Sequence, residues 1–484
     1  MINRFLSKET GYVLIVLFII INAILLYFNF FFLLLLPFLL GLIYVFIYRL
    51  DLAFLAIIFC TPLSFNFENL AIGGLGFYFP TEPLLLVFLT IFLLKNLYQS
   101  SHKKLLTHYK HPITILILFQ LVWILISSIT SEFPLISFKF LVSRTWFVVP
   151  IFFYGIHFFK EGKQRIFQFL LSFILPMFIV TSYTLINHMT YGFSEEAGHW
   201  VMWPFFKDHT SYGAILALCI PIVVWLIYES KKTSHKYLLA IVLIVVLIGL
   251  YFSYTRAAWL SVLGAFIVLL LYRYKIKFKW LVSLGVLPII YIAVNFTDLS
   301  YLVQKNDAEH TTENFSERVE SMSNISSDAS NLERLNRWNC AIRLFKERPF
   351  FGWGPGTYSF VYAPFQDAKD ITIISTNFGD GGNAHSEYLG PLAEQGVLGI
   401  LIMLILVITI FYLTGQFYII TDVKFDKNLC LMIILSLTTY FTHGILNNYL
   451  DTDKASIPIW GLIAIFVCLA TNSSEQESLR TYKK

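Results

Sequence analysis

One polar stretch of this sequence, DGGNAHSEYLGPLAEQG (residues 380–396), combines residues that could do acid–base chemistry. Its histidine, His385, follows two glycines and precedes an apolar run, and Glu387 lies close by. Imidazole is the usual general base near neutral pH and contributes about 10²–10⁴-fold in rate. A lone histidine is more often structural, so the alternative is that His385 only caps or packs the following helix. His209, in KDHTSYGAILALCIP, also begins a predicted helix and is the second candidate.

Two arginines interrupt or border apolar runs, where a charge is costly. Arg256 lies in YFSYTRAAWLSVLGAF, between two apolar runs with almost no connecting loop, and Arg144 lies in FKFLVSRTWFVVP at the end of another run. An arginine at membrane depth costs roughly 2.5–3.5 kcal/mol on insertion scales, so it needs a partner, a ligand or headgroups within reach. All three interpretations stay open for both residues. Because a guanidinium donates in a fork that matches phosphate oxygens, several arginines at one cavity would suit a diphosphate.

A further set of candidates lies on a predicted amphipathic helix in SNLERLNRWNCAIRLFKERPFFGWGPG. Pro349 ends this helix, three glycines then permit tight turns, and Ser330 and Glu333 have the spacing of a capping box. The predicted apolar face comprises Leu332, Leu335, Trp338, Ile342 and Phe345, and the glycines are Gly352, Gly354 and Gly356.

The same helix carries three arginines, Arg334, Arg337 and Arg343. Most charges on such a helix form a solvated face. Arg334 and Trp338 are four residues apart and share one side of the helix, so they could act together. Arg334 is therefore the stronger candidate for binding an anion, and Arg337 is a supporting one.

The elements that must position these residues are membrane helices. Of the 484 residues, 57% are apolar and only 13% are charged, whereas soluble domains carry about 25% charged residues. The apolar residues form runs near the ~20 residues that cross a bilayer. We predict an all-α fold, a polytopic transmembrane bundle of about 12–14 spans. The predicted spans are residues 11–28, 30–48, 50–61, 82–98, 113–130, 140–159, 164–188, 210–229, 236–252, 257–273, 278–295, 390–414, 428–447 and 454–471, of which the first three are crowded.

Lysines and arginines predict the orientation of the bundle. With the N-terminus inside, cytoplasmic segments hold 22 of the 35 basic residues, and short outer loops and helix ends hold 5. The predicted organisation is transmembrane helices in residues 1–295, one large outer loop (296–389) containing the amphipathic helix, three more helices (390–471) and a cytoplasmic tail (472–484). Both termini then face the cytoplasm.

Charge also restricts the partners. The predicted outer loop has 13 acidic and 8 basic residues, while the whole chain is +5. The basic excess therefore belongs to the cytoplasmic rim, where it suits anionic membrane lipids and not nucleic acid. Four of the five cysteines lie in apolar runs and only Cys340 lies in the loop, so no intrachain disulfide is expected. No Cys/His spacing typical of a metal site occurs in the sequence.

These motifs together resemble a known superfamily. NAHSEYLGPLAEQGVLG is similar to the histidine-containing signature of the O-antigen ligase and bacterial polysaccharide polymerase superfamily. RLNRWNCAIRLFKERPFFGWGPGTY resembles that family's Arg-x-x-x-Trp helix with its following Pro and glycines. YTRAAWL and KDHTSYGAILALCIP resemble two of its outer-face helix starts. The motifs cover about residues 200–415 in the expected order.

The resemblance implies a reaction and roles for these residues. Such enzymes transfer a glycan from undecaprenyl diphosphate to an acceptor on the periplasmic face of the bacterial inner membrane, without a metal or cofactor. Arg256 and Arg334 would hold the donor's diphosphate, and His385 would activate the acceptor hydroxyl. The residues themselves, apart from the resemblance, make Arg144, Arg337, His209, Glu387 and Trp338 candidates for a supporting part. Many relatives have Asn after the histidine, where this chain has Ser386.

Several functional alternatives remain at the level of sequence. The acceptor could be a growing repeat chain in O-antigen or exopolysaccharide synthesis, the lipid A core of lipopolysaccharide, or a protein, as in a protein O-oligosaccharyltransferase. A lipid-linked sugar flippase or another transporter would explain the spans, but not an ordered loop with Trp, Pro and Gly at fixed places. A metal-dependent glycosyltransferase would need paired carboxylates in an early outer loop, where Glu68 and Glu132 are isolated and Glu195 and Glu196 are the one pair.

Overall fold

The computed structural model describes residues 8–66, 78–98, 110–275, 329–368, 371, 375 and 382–482. Over these residues the protein is almost entirely helical, which confirms the predicted all-α class. Residues 1–56 form one compact unit and residues 57–484 form a second. All the candidate functional residues lie in the second unit.

The described elements are numbered here in chain order. The helices of the first part of the chain are α1 Lys8–Tyr27, α2 Leu36–Tyr48, α3 Leu50–Leu63, α4 Thr81–Tyr98, α5 Pro112–Ile129, α6 Pro134–Val148, α7 Gly155–Phe159 and α8 Lys163–Thr190. They continue with α9 Glu195–Gly198, α10 His209–Glu229, α11 Thr233–Tyr251, α12 Arg256–Arg273, α13 Ala329–Glu347, α14 Tyr358–Val361, α15 Leu389–Ile420, α16 Lys424–His443 and α17 Asp453–Tyr482. Two short strands, β1 (Phe65–Asn66) and β2 (Tyr78–Phe79), pair antiparallel, and a π-helical turn (Val149–Tyr154) joins α6 to α7.

Nine stretches of helix among the described residues are long and apolar enough to cross a membrane, and α6 to α7 counts as one of them. The number is ten if the pair 32–48 and 50–63 forms one broken span. These stretches lie where apolar runs predicted spans. The predicted span at 278–295 and the first part of the predicted loop, 296–328, lie outside the described residues.

Several helix ends meet at one end of the bundle, which we call the polar end (residues 208–210, 253–257, 382–389 and 443–453). The Thr255 hydroxyl, just before α12, donates to the carbonyl of His209 at the start of α10, at 2.8 Å. The Glu387 amide, just before α15, donates to the Gly444 carbonyl at the end of α16, also at 2.8 Å. The first bond therefore holds the start of α12 to that of α10, and the second holds the start of α15 to the end of α16.

The segment after α13 is attached to the bundle through a break in α15. Gly396 has φ +69° and ψ −163° inside that helix, so its regular hydrogen bonding is interrupted. The carbonyls of Ala393 and Glu394 instead accept from the amides of Trp353 and Gly354, at 3.1 and 2.8 Å. Buried backbone groups need hydrogen-bond partners, and these bonds supply them to both segments, 353–354 and 393–394, at once.

Glycine is required on both sides of this contact. A Cβ on Gly396 would lie 2.2 Å from the Phe350 carbonyl oxygen, and a Cβ on Gly352 would lie 2.3 Å from the Glu394 carbonyl carbon. Both residues also have positive φ, a region that other residues rarely adopt. Gly354 and Gly356 have positive φ as well, so the predicted tight turns after Pro349 are confirmed.

The predicted helix is present as α13, but its buried face differs from the prediction. The predicted apolar residues are only half-buried, and Glu333 pairs with Arg337 at 2.7 Å instead of capping the helix. The fully buried residues are Glu333, Asn336, Arg337, Cys340, Ala341 and Leu344. Because the ion pair and the hydrogen bonds of Asn336 satisfy the polar groups, this face can pack inward.

Candidate functional site

His385 lies in a turn that other residues hold from both sides. Its backbone has φ +45°, an uncommon conformation for a residue with a side chain. The His385 amide donates to Asn383 Oδ1 at 3.0 Å, and the Trp338 indole donates to the His385 carbonyl at 3.4 Å. Arg337 Nη1 donates to the Asn383 carbonyl at 3.3 Å. Gly382 lies so close to the Arg337 guanidinium that a Cβ there would clash, at 1.5 Å from Nη1.

Arg334 lies within electrostatic reach of three histidines at the polar end. Its positive charge acts on the rings of His209, His385 and His443. Arg334 and Trp338, four residues apart on α13, therefore both approach the His385 turn. The two residues lie on the same side of α13, as their spacing in the sequence predicts.

The pKa of His385 is lowered to about 4. The largest cause is burial, which disfavours the charged imidazolium, and the charges of Arg337 and Arg334 act in the same direction. A hydrogen bond to the Asn447 side chain and the charge of Glu333 oppose the shift. The ring is therefore neutral at neutral pH and can accept a proton.

Arg256 begins α12 at the polar end and is half-buried. Its neighbour Thr255 bonds to the His209 carbonyl, and the backbone of Ala257 lies at His443. The structure therefore places the backbone of Arg256 between two of the histidines that Arg334 influences.

His209 stacks on another histidine, and the residues on either side of it fix the start of α10. Its ring stacks on that of His199, with centroids 4.3 Å apart and planes at 11°. Asp208, which caps α10, accepts from the Ser211 amide at 2.7 Å. Thr210, which follows His209, hydrogen-bonds both Asp208 and the Tyr449 hydroxyl. The start of α10 is therefore fixed to the turn between α16 and α17.

Glu387 fixes the same turn to the His385 segment. Its carboxylate accepts from the amides of Tyr449 and Leu450, at 2.7 and 2.8 Å, and from the Tyr440 hydroxyl. Burial raises the pKa of Glu387 above its ordinary value. All three bonds go to Oε1, and this geometry gives Glu387 a positioning part.

Arg144 lies on the Glu387 side of the polar end. Its guanidinium pairs with Asp451, and its side chain is 7% exposed. Its charge acts on Glu387 and Glu394. Arg337 is likewise engaged within the protein, through Glu333 and the Asn383 carbonyl. In the described part of the chain, no group of three or more His, Cys, Asp or Glu residues is arranged to hold a metal ion.

Sequence reasoning missed His443 and Asn447. They lie in FTHGILNNYLD, a polar turn directly after an apolar run. His443 is 1% exposed and Asn447 is 3% exposed, and Asn447 Nδ2 lies 3.1 Å from His443 Nε2. The available signal was the one that drew attention to His385, a histidine beside a glycine where an apolar run meets a polar turn.

Comparison with known proteins adds an independent finding. Residues 241–404 match the family model described as O-Antigen ligase, and this range contains Arg256, Arg334 and His385. The chain is also 23% identical over 259 residues to an uncharacterized protein of Haemophilus influenzae strain Rd. That alignment covers 52% of this chain and 62% of the relative. Residues 241–404 therefore match an O-Antigen ligase domain, which supports a relation to the O-antigen ligase-like superfamily.

Proposed function

We propose that this protein transfers a glycan from undecaprenyl diphosphate to an acceptor hydroxyl on the periplasmic face of the bacterial inner membrane. The family match supports a membrane glycosyltransferase of the O-antigen ligase or polymerase type. The observation that carries the mechanism is a neutral, half-buried His385 within reach of the Arg334 charge. The proposed base, His385, and the cation Arg334 lie at one end of an apolar bundle. A lipid-linked donor and an aqueous acceptor can both reach such a place.

The proposed reaction needs one proton acceptor and stabilisation of the leaving group. The acceptor hydroxyl oxygen forms a bond to the anomeric carbon of the donor glycan, and the bond from that carbon to the diphosphate oxygen breaks. The diphosphate leaves with the electron pair, and His385 takes the hydroxyl proton. Arg256 and Arg334 hold the diphosphate and stabilise the charge that develops on it. The remaining contribution is the alignment of donor and acceptor.

Replacement of the base tests the role of His385. We expect His385→Gln to lower transfer about 10²–10⁴-fold, because the amide keeps hydrogen-bonding capacity but accepts no proton at neutral pH. The measurement is product formation with purified lipid diphosphate-linked glycan and acceptor, together with donor binding. His235→Gln, an exposed histidine on α11, is the matched control and should transfer at the wild-type rate. Wild-type turnover by His385→Gln would remove His385 from the mechanism and direct attention to His209.

Conservative substitution tests the two arginines. We expect Arg256→Lys and Arg334→Lys to weaken donor binding and transfer by at least about tenfold, since lysine keeps the charge but loses the bidentate fork. Arg273→Lys, at the exposed opposite end of α12, is the control. Both measurements should be made at equal protein levels in the membrane. If both variants bind and transfer as the wild type does, the assignment to diphosphate binding is wrong.

The acceptor remains a choice among three classes: a growing repeat chain, the lipid A core, or a protein. All three offer a hydroxyl to the same proposed base. A flippase or transporter is the alternative from a different class. Transfer by purified protein in detergent, where no second compartment exists, would separate an enzyme from a transporter.

A further inference from the structure

We propose that residues 200–205, which we call the aromatic turn, lie in the membrane interface beside α8, with Trp200 and Trp203 inserted into lipid at the headgroup–acyl boundary. The turn and the next residue read WVMWPFF and contain no charged residue. This segment lies outside the range of the family match. The inference does not depend on the proposed reaction.

The aromatic turn folds back along α8, a helix long and apolar enough to cross a membrane. The Asn187 side-chain amide donates to the Val201 carbonyl at 3.0 Å, and the Tyr183 hydroxyl donates to the Trp203 carbonyl at 3.4 Å. The Tyr183 ring also packs edge-on against that of Phe205, with centroids 5.3 Å apart. Tyr183 lies about two turns, or roughly 10 Å, before the end of α8. The turn therefore lies level with the last two turns of α8 and not beyond them.

The aromatic turn has one buried and one exposed side. Val201 and Met202 are each 1% exposed. Trp203 is 68% exposed and Trp200 is 46% exposed. Ile186, in the last two turns of α8, is 63% exposed as well. Apolar surface around a spanning helix faces lipid, and tryptophan favours the membrane interface because its large apolar ring carries one polar N–H.

The backbone of the turn is hydrogen-bonded as a segment in lipid requires. The Trp203 amide donates to the Trp200 carbonyl at 3.0 Å. The amides of Phe205 and Phe206 donate to the Met202 carbonyl, at 3.1 and 3.2 Å. With the two bonds from α8 side chains, all four carbonyls from position 200 to position 203 accept hydrogen bonds within the protein. Lipid offers no partner to backbone groups, so a non-helical segment at membrane depth needs such bonds, whereas water would supply them to an aqueous loop.

Contacts on both sides of the turn connect it to α10. The ring of His199, before the turn, stacks on that of His209 at the start of α10, with centroids 4.3 Å apart. The ring of Phe206, after the turn, packs edge-on against that of Tyr212, at 5.3 Å. An interfacial anchor at this place would hold the start of α10, and with it the polar end, at the level of the lipid headgroups.

Depth-dependent fluorescence quenching tests the placement. In a background without the five native cysteines, Trp203→Cys is labelled with an environment-sensitive fluorophore. The protein is then reconstituted into nanodiscs whose lipids carry a nitroxide either near the headgroup or near the chain end. Interfacial segments lie about 5–10 Å into the headgroup–acyl boundary. We therefore expect the nitroxide near the headgroup to quench the label more strongly than the one near the chain end, and aqueous iodide to quench it weakly.

Two exposed positions calibrate the measurement. Lys346→Cys, on α13, is the aqueous control, and its label should be quenched by iodide and by neither lipid. Ile179→Cys lies one turn deeper on α8 than Tyr183, and its label should be quenched most strongly by the nitroxide near the chain end. The label at Trp203 should differ from both.

Two results would overturn the proposal. Strong quenching by iodide at Trp203, with no quenching by either lipid, would place the turn in water. Protection from iodide and from both nitroxides would mean that a second copy of the chain or another protein covers this surface. Trp200→Cys should give the same order of quenching as Trp203→Cys, and it decides the question if the latter does not accumulate.

Discussion

At the scale of single residues, burial and charge keep His385 neutral. A third positive charge beside Arg334 and Arg337 is unfavourable, and burial removes the water that would stabilise it. Binding of a diphosphate would bring negative charge to the same place. The proton affinity of His385 and the occupancy of the donor site are therefore coupled in the proposed mechanism.

The pH dependence of transfer follows from this coupling. An ordinary histidine has a pKa of 6.5, but that of His385 is lowered to about 4, so the neutral base persists as the pH falls through 6.5. We expect kcat/KM, which reports the free enzyme, to decrease only as the pH falls to about 4. We expect kcat, which reports the enzyme with bound donor, to decrease at a higher pH. Rate profiles between about pH 4 and pH 8 measure both. An acidic limb of kcat/KM at 6.5 or above would contradict the prediction.

Local sequence features single out some of the candidate residues, whose roles stay predictions. His385, Arg256 and Arg334 have unusual settings that are visible locally: a glycine-rich turn, an apolar boundary and a helix shared with Trp338. Asn447 has no such local mark. Folding buries its side chain beside His443, with Asn447 Nδ2 3.1 Å from His443 Nε2, and spacing in a single sequence does not report burial of that kind.

At the scale of elements, the break in α15 determines how the polar segment attaches to the bundle. The break at Gly396 leaves two carbonyls of α15 without a hydrogen bond inside the helix. The amides of Trp353 and Gly354, in the segment after α13, donate to them. The Trp123 indole on α5 donates to the Gln395 carbonyl at 3.0 Å in the same place. Periodicity correctly predicted α13 as a helix. It gave the wrong buried face because the ion pair of Arg337 with Glu333 makes a polar face suitable for burial.

Substitution of Gly396 tests this attachment. We expect Gly396→Ala to destabilise the protein, because its φ of +69° is unfavourable for alanine and the new Cβ would meet the Phe350 carbonyl. Thermal unfolding in detergent should show a lower Tm, and limited proteolysis should cut faster within 348–368. Gly390→Ala is the matched control on the same helix, because a Cβ there would have nothing within 4 Å. Equal Tm values and cleavage rates for the two variants would contradict the attachment.

At the scale of the whole molecule, composition and apolar runs were sufficient to predict an all-α membrane protein. The orientation is a separate prediction that rests on the positions of the basic residues. α10, α12 and α15 begin at the polar end, so the turns before α11 and α16 lie at the opposite end of the bundle. These two ends should face different compartments.

Cysteine labelling tests the orientation. In a background without the five native cysteines, we expect Lys346→Cys on α13 to react with an impermeant reagent in intact spheroplasts. Lys231→Cys, before α11, should react only after lysis. Both positions are exposed, so a difference in labelling reports the compartment and not burial. The reverse pattern would overturn the proposed periplasmic location of the loop.

The ion pair of Arg144 with Asp451 has a consequence for biosynthesis. Its partners are separated by 307 positions in the sequence, which a ribosome at about 5–20 residues per second needs roughly 15–60 seconds to translate. During that interval α6 carries an arginine whose final counterion has not been made. Until Asp451 is made, lipid headgroups within reach of the long side chain can accommodate this charge. The contact between α6 and the turn before α17 forms only after that turn has been translated.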